Sequence, residues 1–155
     1  KDFAVVDLGT KALRVHFFRK GIYDITRTME PGCEEIEQIR SGDKNKMQEL
    51  GIEAEEENRE ETDKEKLAAV LEEQYRTHAV QVMRVLNFYS FNNVNNTIDS
   101  LYYCGGGARY GELIDALKET LDLPVRSVAE LLPEVSLDEE DEWIDSPQAY
   151  GVLLA

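Results

Sequence analysis

Near its start the chain alternates. Leu13, Val15 and Phe17 are separated by Arg14 and His16, a period of two that predicts a strand with one buried face. Before it, Phe3, Ala4, Val5 and Val6 form a short apolar run that predicts a strand buried on both faces. Arg19, Lys20 and Gly21 supply a turn in which the glycine is free to take positive φ. Residues 22–29, with Tyr23, Ile25 and Thr26, predict a third strand. The three strands make an antiparallel meander whose first turn holds Asp7, Leu8, Gly9 and Thr10.

The period then changes. Pro31-Gly32 breaks the meander, and Ile36 and Ile39, three apart, predict a short helix. Residues 41–62 are polar around Met47, Leu50 and Ile52 and then mostly Glu, which predicts a small helical excursion whose tip, residues 53–61, is mobile. Thr62 and Asp63 are suited to cap the next helix, with Glu65 in its first turn. Leu67, Val70, Leu71, Tyr75, His78, Val82, Val85 and Leu86 recur at steps of three and four, one face of a helix of about six turns. That stripe reads as core. Asn92, Asn93, Asn95 and Asn96 read as turn chemistry leading into a strand at residues 100–104. Gly105, Gly106 and Gly107 open a helix with Leu113, Ile114, Leu117 and Leu121 on its apolar face. Residues 124–128 predict a short edge strand started by Pro124. Ser146-Pro147 predicts a closing helix over residues 149–154, placed to cover the far face of the sheet.

The sequence has 155 residues, enough for one domain that removes about two-thirds of its extended-chain surface from water. Asp and Glu number 32 against 17 Lys and Arg, a net charge of −15, which argues against nucleic-acid or anionic-lipid binding. The acids concentrate at residues 53–65 and 134–145 and read as solvated faces and loops. Cys33 and Cys104 form no disulfide framework or CxxC pair, which fits a reducing cytoplasm, and His16 and His78 stand alone, in packing or surface roles. No apolar run reaches the ~18 residues of a membrane span, so direct insertion is not expected. The chain enters a strand at once from Lys1 and reads as a fragment of a longer protein.

Two glycine-bearing turns carry the candidate chemistry. Each follows an apolar strand, where backbone can approach a phosphate or sugar without Cβ interference. Gly9 and Thr10 can offer backbone N–H groups and a hydroxyl to phosphate oxygens. Lys11 can counter phosphate charge or remain solvated. Asp7 suits a hydrated Mg²⁺, which keeps several waters and accepts one or two carboxylates. Gly105, Gly106 and Gly107 would let ribose and α-phosphate lie against backbone. The plainer readings stand beside these: a strand-to-strand turn for the first, and a helix start packed closely on the sheet for the second.

In their order and wording the two motifs resemble those of the actin-like ATPase superfamily: Val5-Val6-Asp7-Leu8-Gly9-Thr10 its second phosphate loop, and Leu101-Tyr102-Tyr103-Cys104-Gly105-Gly106-Gly107-Ala108 its adenosine motif. Within that superfamily the meander, the short helix, residues 102–125 and the Ser146–Ala155 ending are most similar to PilM, of type IV pilus assembly, and to its relative FtsA. The resemblance implies an α/β, ribonuclease H-like second lobe: a mixed sheet opening with an antiparallel three-stranded meander and flanked by helices. It implies one lobe over residues 1–155 with a helical subdomain at 41–90, completed by an N-terminal lobe outside this sequence. ATP and Mg²⁺ are then the expected ligands, at Asp7, Gly9, Thr10, Lys11, Gly105, Gly106 and Gly107. The lobe alone is expected to be inactive, with no catalytic residue of its own, and the parent is an ATPase or a platform. The expected partner is an inner-membrane pilus assembly protein engaged through its cytoplasmic peptide, at the inner face of the cell membrane. One departure stands out: PilM and FtsA open the helix after the meander with Gly-Gly and a Thr, where this chain reads Pro31-Gly32-Cys33-Glu34-Glu35. Other actin-like branches (a cell-division protein, a chaperone ATPase, a sugar kinase) and a nucleotide-independent interaction module are the alternatives.

Overall fold

The computed structural model describes residues 2–95 and 97–131. The meander forms as expected: β1 (Phe3–Leu8), β2 (Leu13–Arg19) and β3 (Ile22–Met29). β1 runs two residues further than its apolar run, so Asp7 and Leu8 end the strand and the turn begins at Gly9. The extension follows from pairing: Asp7 lies opposite Arg14 and Leu8 opposite Leu13, and Leu8 is fully buried. β1 is also buried alternately, with Ala4, Val6 and Leu8 inward, rather than equally on both faces. At the β2–β3 hairpin Lys20 joins Gly21 at positive φ, the backbone that a two-residue hairpin loop requires.

β4 (Leu101–Cys104) pairs parallel with β1, and β5 (Val125–Ser127) parallel with β4, giving a five-stranded mixed sheet of order β3-β2-β1-β4-β5. α1 (Glu34–Ser41), α2 (Lys44–Leu50), α3 (Glu61–Asn92) and α4 (Gly111–Thr120) complete it. The buried side chains of one sheet face, among them Leu8, Leu13, Val15 and Phe17, pack with Ile36, Tyr75, Ala79, Val82, Leu86, Leu113 and Leu117 from the helices. Phe17 and Tyr89 stack with centroids 3.8 Å apart, tying the end of α3 to β2. Each large side chain buried in this way contributes about 1.5–3 kcal/mol. A second cluster of Ile39, Met47 and Ile52 packs with Leu67, Val70 and Leu71 and holds α2 to the start of α3.

Three local expectations change. α3 starts at Glu61 with Glu60 in the capping position and no side-chain cap, so Thr62 and Asp63 lie inside the helix; Glu61 and Asp63 complement its dipole instead. It ends at Asn92, well past Leu86, because Tyr89 continues the buried stripe while Phe88 and Phe91 face outward. The three glycines do not open a helix: Gly106–Arg109 is a single 3₁₀ turn, and α4 begins at Gly111 after Tyr110. The closing helix expected at 149–154 and the acidic stretch at 134–145 lie outside the described residues.

Candidate functional site

Because β1 and β4 are parallel neighbours, their C-terminal ends finish side by side, with Asp7 opposite Cys104. The turn that follows β4 therefore packs on the last residues of β1, although the two are far apart in sequence. Gly105 has φ +90°, and a Cβ there would run into the Asp7 carboxylate and lie 2.9 Å from the Leu8 amide nitrogen. A Cβ on Gly107 would lie 2.8 Å from both Cys33 Sγ and Leu8 Cβ. Both glycines are required by the packing of one turn on the other. Gly106 differs: its Cβ would meet only the flexible end of Arg109, at 3.2 Å.

The first turn is bound on its other side to the start of α1. The amides of Gly32, Cys33 and Glu34 donate to the carbonyls of Lys11, Gly9 and Thr10 at 3.0, 2.8 and 3.0 Å. Gly32 allows that seam, since a Cβ there would lie 2.7 Å from the Thr10 carbonyl oxygen. The Cys33 and Glu34 amides at the start of α1 are thereby spent on the turn. Side chains repeat the contact: Lys11 Nζ meets Glu34 at 2.7 Å, and the Thr10 hydroxyl donates to Glu37 at 3.1 Å.

All seven site residues expected from sequence therefore gather at one end of the sheet. Asp7, Gly105 and Gly107 form the contact between the end of β1 and the second turn, Gly106 stands beside it, and Thr10 and Lys11 lean onto α1. Sequence reasoning missed Glu34 and Glu37; the sign of it was legible in the acidic replacement for Gly-Gly-Thr, but its contacts depend on where α1 docks.

The electrostatics are those of a partly desolvated acidic site. Burial raises the Asp7 pKa above the usual carboxylate value, with His16 and Arg14 opposing the shift. Burial lowers the His16 pKa, and Asp7 pulls it back in part; the ring also contacts the Thr26 hydroxyl at 2.7 Å. Burial, with Glu37 and Asp7 adding to it, pushes the Cys33 thiol up to about 12, and burial with Asp7 does the same for Cys104, so both are neutral thiols. Among the described residues no cluster of three or more His, Cys, Asp or Glu could hold a metal by itself. A partly desolvated carboxylate such as Asp7 suits a cation that brings its own waters.

Behind the seam, His78 of α3 is 2% exposed, and neither ring nitrogen has a hydrogen-bond partner of good geometry. The nearby Gly32 backbone and Glu35 favour the protonated ring, but burial outweighs them and the pKa is lowered.

A family model described as type IV pilus assembly protein PilM matches residues 1–143. No curated protein matches the chain. Among solved structures, a PilM–PilN type IV pilus biogenesis complex aligns at 21% identity with a TM-score of 0.57, over 94% of this chain and 41% of that one. The ethanolamine utilization protein EutJ from Carboxydothermus hydrogenoformans aligns at 17% identity with a TM-score of 0.54, over 84% of this chain and 45% of that one. Both likenesses are to actin-like ATPase domains, and the chain spans less than half the length of either protein.

Proposed function

The chain belongs to the type IV pilus assembly protein PilM family, and from that premise we propose that it is the second lobe of a two-lobed, nucleotide-binding platform for pilus assembly. One observation carries the nucleotide reading: β1 and β4 lie side by side and parallel, so that the Asp7–Lys11 turn and the Gly105–Gly107 turn meet at one edge. In this reading Asp7 holds Mg²⁺ through water, Gly9 and Thr10 bind phosphate oxygens, and Lys11 counters their charge once it leaves Glu34. Gly105, Gly106 and Gly107 lie beneath ribose and α-phosphate. Bound MgATP would supply a phosphoryl chain long enough to join this lobe to a first lobe encoded outside these residues. Without that opposite wall no clamp positions an attacking water, and the lobe alone turns over little ATP.

The platform role places the protein in the cytoplasm at the inner face of the membrane, engaging an inner-membrane assembly protein through that protein's cytoplasmic peptide. The family match supports this role, and no helix among the described residues is long and apolar enough to cross a membrane.

Titration of the chain and of its intact parent with ATP, with and without Mg²⁺, tests the nucleotide reading. Amide shifts should appear in both turns, weakly in the chain and strongly in the parent, and Asp7→Ala should remove the Mg²⁺ dependence. Shifts in one turn only, or none in either protein at millimolar ligand, would favour a nucleotide-independent interaction module. The Lys11–Glu34 and Thr10–Glu37 contacts are the observation behind that second reading, since they occupy the side chains that phosphate would need.

A further inference from the structure

Of the large apolar side chains left exposed among the described residues, Ile22, Phe88, Phe91 and Val94 sit where β3 meets the end of α3, while Tyr23 lies on the other face of the sheet against Phe18. Phe91 and Val94 are 82% and 85% exposed. The place is held together locally: Arg19 donates to the Asn93 side chain at 3.0 Å, and the Tyr89 hydroxyl donates to Asp24 at 2.5 Å. Between strand and helix runs a groove of about 430 Å³, lined by Asp24, Ile25, Arg27, Phe88, Tyr89 and Asn92 among others.

Among the described residues β3 is also the outermost strand of the sheet, eight residues long, with no strand paired on its far side. Such an edge accepts a further strand through main-chain hydrogen bonds, while alternate side chains of the added strand find pockets beside it. Its charge is opposite to that of the chain as a whole. Residues 13–29 carry Arg14, Arg19, Lys20 and Arg27 against the single acid Asp24, within a chain of net charge −15. Asp24 is already engaged by Arg19 at 3.8 Å and by Tyr89. Arg27 and the Lys20 side chain have no carboxylate partner among the described residues.

We propose that the β3 edge and the adjoining groove form a docking site for an extended, acidic segment of a partner protein, which adds as a sixth strand. On its face toward α3 that segment sets an apolar side chain against Ile25 and Phe88 and a carboxylate against Arg27, two residues along the same face, and a further carboxylate meets Lys20 at the hairpin end. The cations that discourage pairing with another basic edge select for this partner. Two copies of so acidic a chain repel each other, which disfavours self-pairing as the occupant. The site lies away from the two touching turns and does not depend on nucleotide.

The test uses two blocked synthetic octapeptides, one repeating Val-Val-Glu-Glu and the other Val-Val-Lys-Lys so that each face of the added strand carries both residue types, titrated into the isotope-labelled chain. The acidic peptide should shift and protect amides within residues 22–29 and 88–94, and bind about tenfold more tightly than the basic one. Arg27→Glu should reverse the preference, and Phe88→Ser should weaken both peptides without unfolding the chain. Equal binding of the two peptides, shifts elsewhere, or no shift at millimolar peptide would overturn the proposal. So would sedimentation showing that the chain dimerises through this corner and excludes the peptide.

Discussion

At the ends of β1 and β4 side chains are missing, and backbone touches backbone. Gly105 lies against Asp7 and Leu8, Gly107 against Cys33 and Leu8, and Gly32 against the Thr10 carbonyl. Where β3 meets α3 the arrangement is reversed: large apolar side chains are present and, among the described residues, stay mostly exposed. The first region satisfies its own groups, down to Lys11 on Glu34 and Thr10 on Glu37. The second, among the described residues, leaves a strand edge with no further strand on it and two cations with no carboxylate partner. In the first, the shape of a site is fixed by what a Cβ would strike, and substitution there disturbs the fold. In the second, side chains are spare to the fold, so substitution should alter contacts with other molecules and little else.

The largest effect that tests this contrast is Gly105→Ala. The added methyl meets Asp7 and Leu8 at a positive φ, and we expect a loss of about 2–4 kcal/mol or failure to fold, read by chemical denaturation. A loss below about 0.5 kcal/mol would mean that the turns do not touch as described.

Next comes the acidic latch. Glu34→Gln and Glu37→Gln in the intact parent should each tighten ATP binding by a factor of about two to five, the scale of a partly exposed charge. Weaker binding in either variant would show that the carboxylates help the site rather than compete with phosphate.

A smaller effect concerns His78. Its folded pKa is lowered, so the unfolded chain binds the proton more readily; the neutral ring's contribution is full above the unfolded value and declines as pH falls below about 6.5. His78→Leu should flatten the loss of stability between about pH 7 and 5 relative to the parent sequence. An unchanged pH profile would mean that the ring is solvated.

The smallest effect belongs to the exposed corner. Phe91→Ser should change stability by less than about 0.5 kcal/mol. A larger loss would show that the corner is structural after all, and the contrast between the two regions would fail.

The strands were legible because each carries its own signal. Period two marked β2, Gly21 marked the hairpin, and Pro124 marked the start of β5. The convergence of Asp7 with Gly105 was reachable only through the resemblance, since no local pattern states that β1 and β4 are neighbours. The tight 3₁₀ turn at Gly106–Arg109 was not legible, because Leu8 and Cys33, distant in sequence, set how closely it packs. Nor was the full length of α3: Phe88 and Phe91 interrupt the polar face that usually marks a surface helix. The latch depends on the docking of α1, so Glu34 and Glu37 read as ordinary acids in a helix's first turn.

The parallel pairing of β1 with β4 also has a consequence in time. The hairpin of β2 and β3 closes a two-residue loop, whereas Ala4 meets Leu101 roughly a hundred residues further along the chain. Each doubling of a flexible loop adds about 0.6 kcal/mol of closure entropy, so the meander can assemble while β4 is still searching. α3 shortens that search by spanning much of the intervening chain as a rigid rod. The two turns would then come together in one of the last steps of folding, and a chain stalled before it would carry a complete β3 edge while the ends of β1 and β4 were still apart.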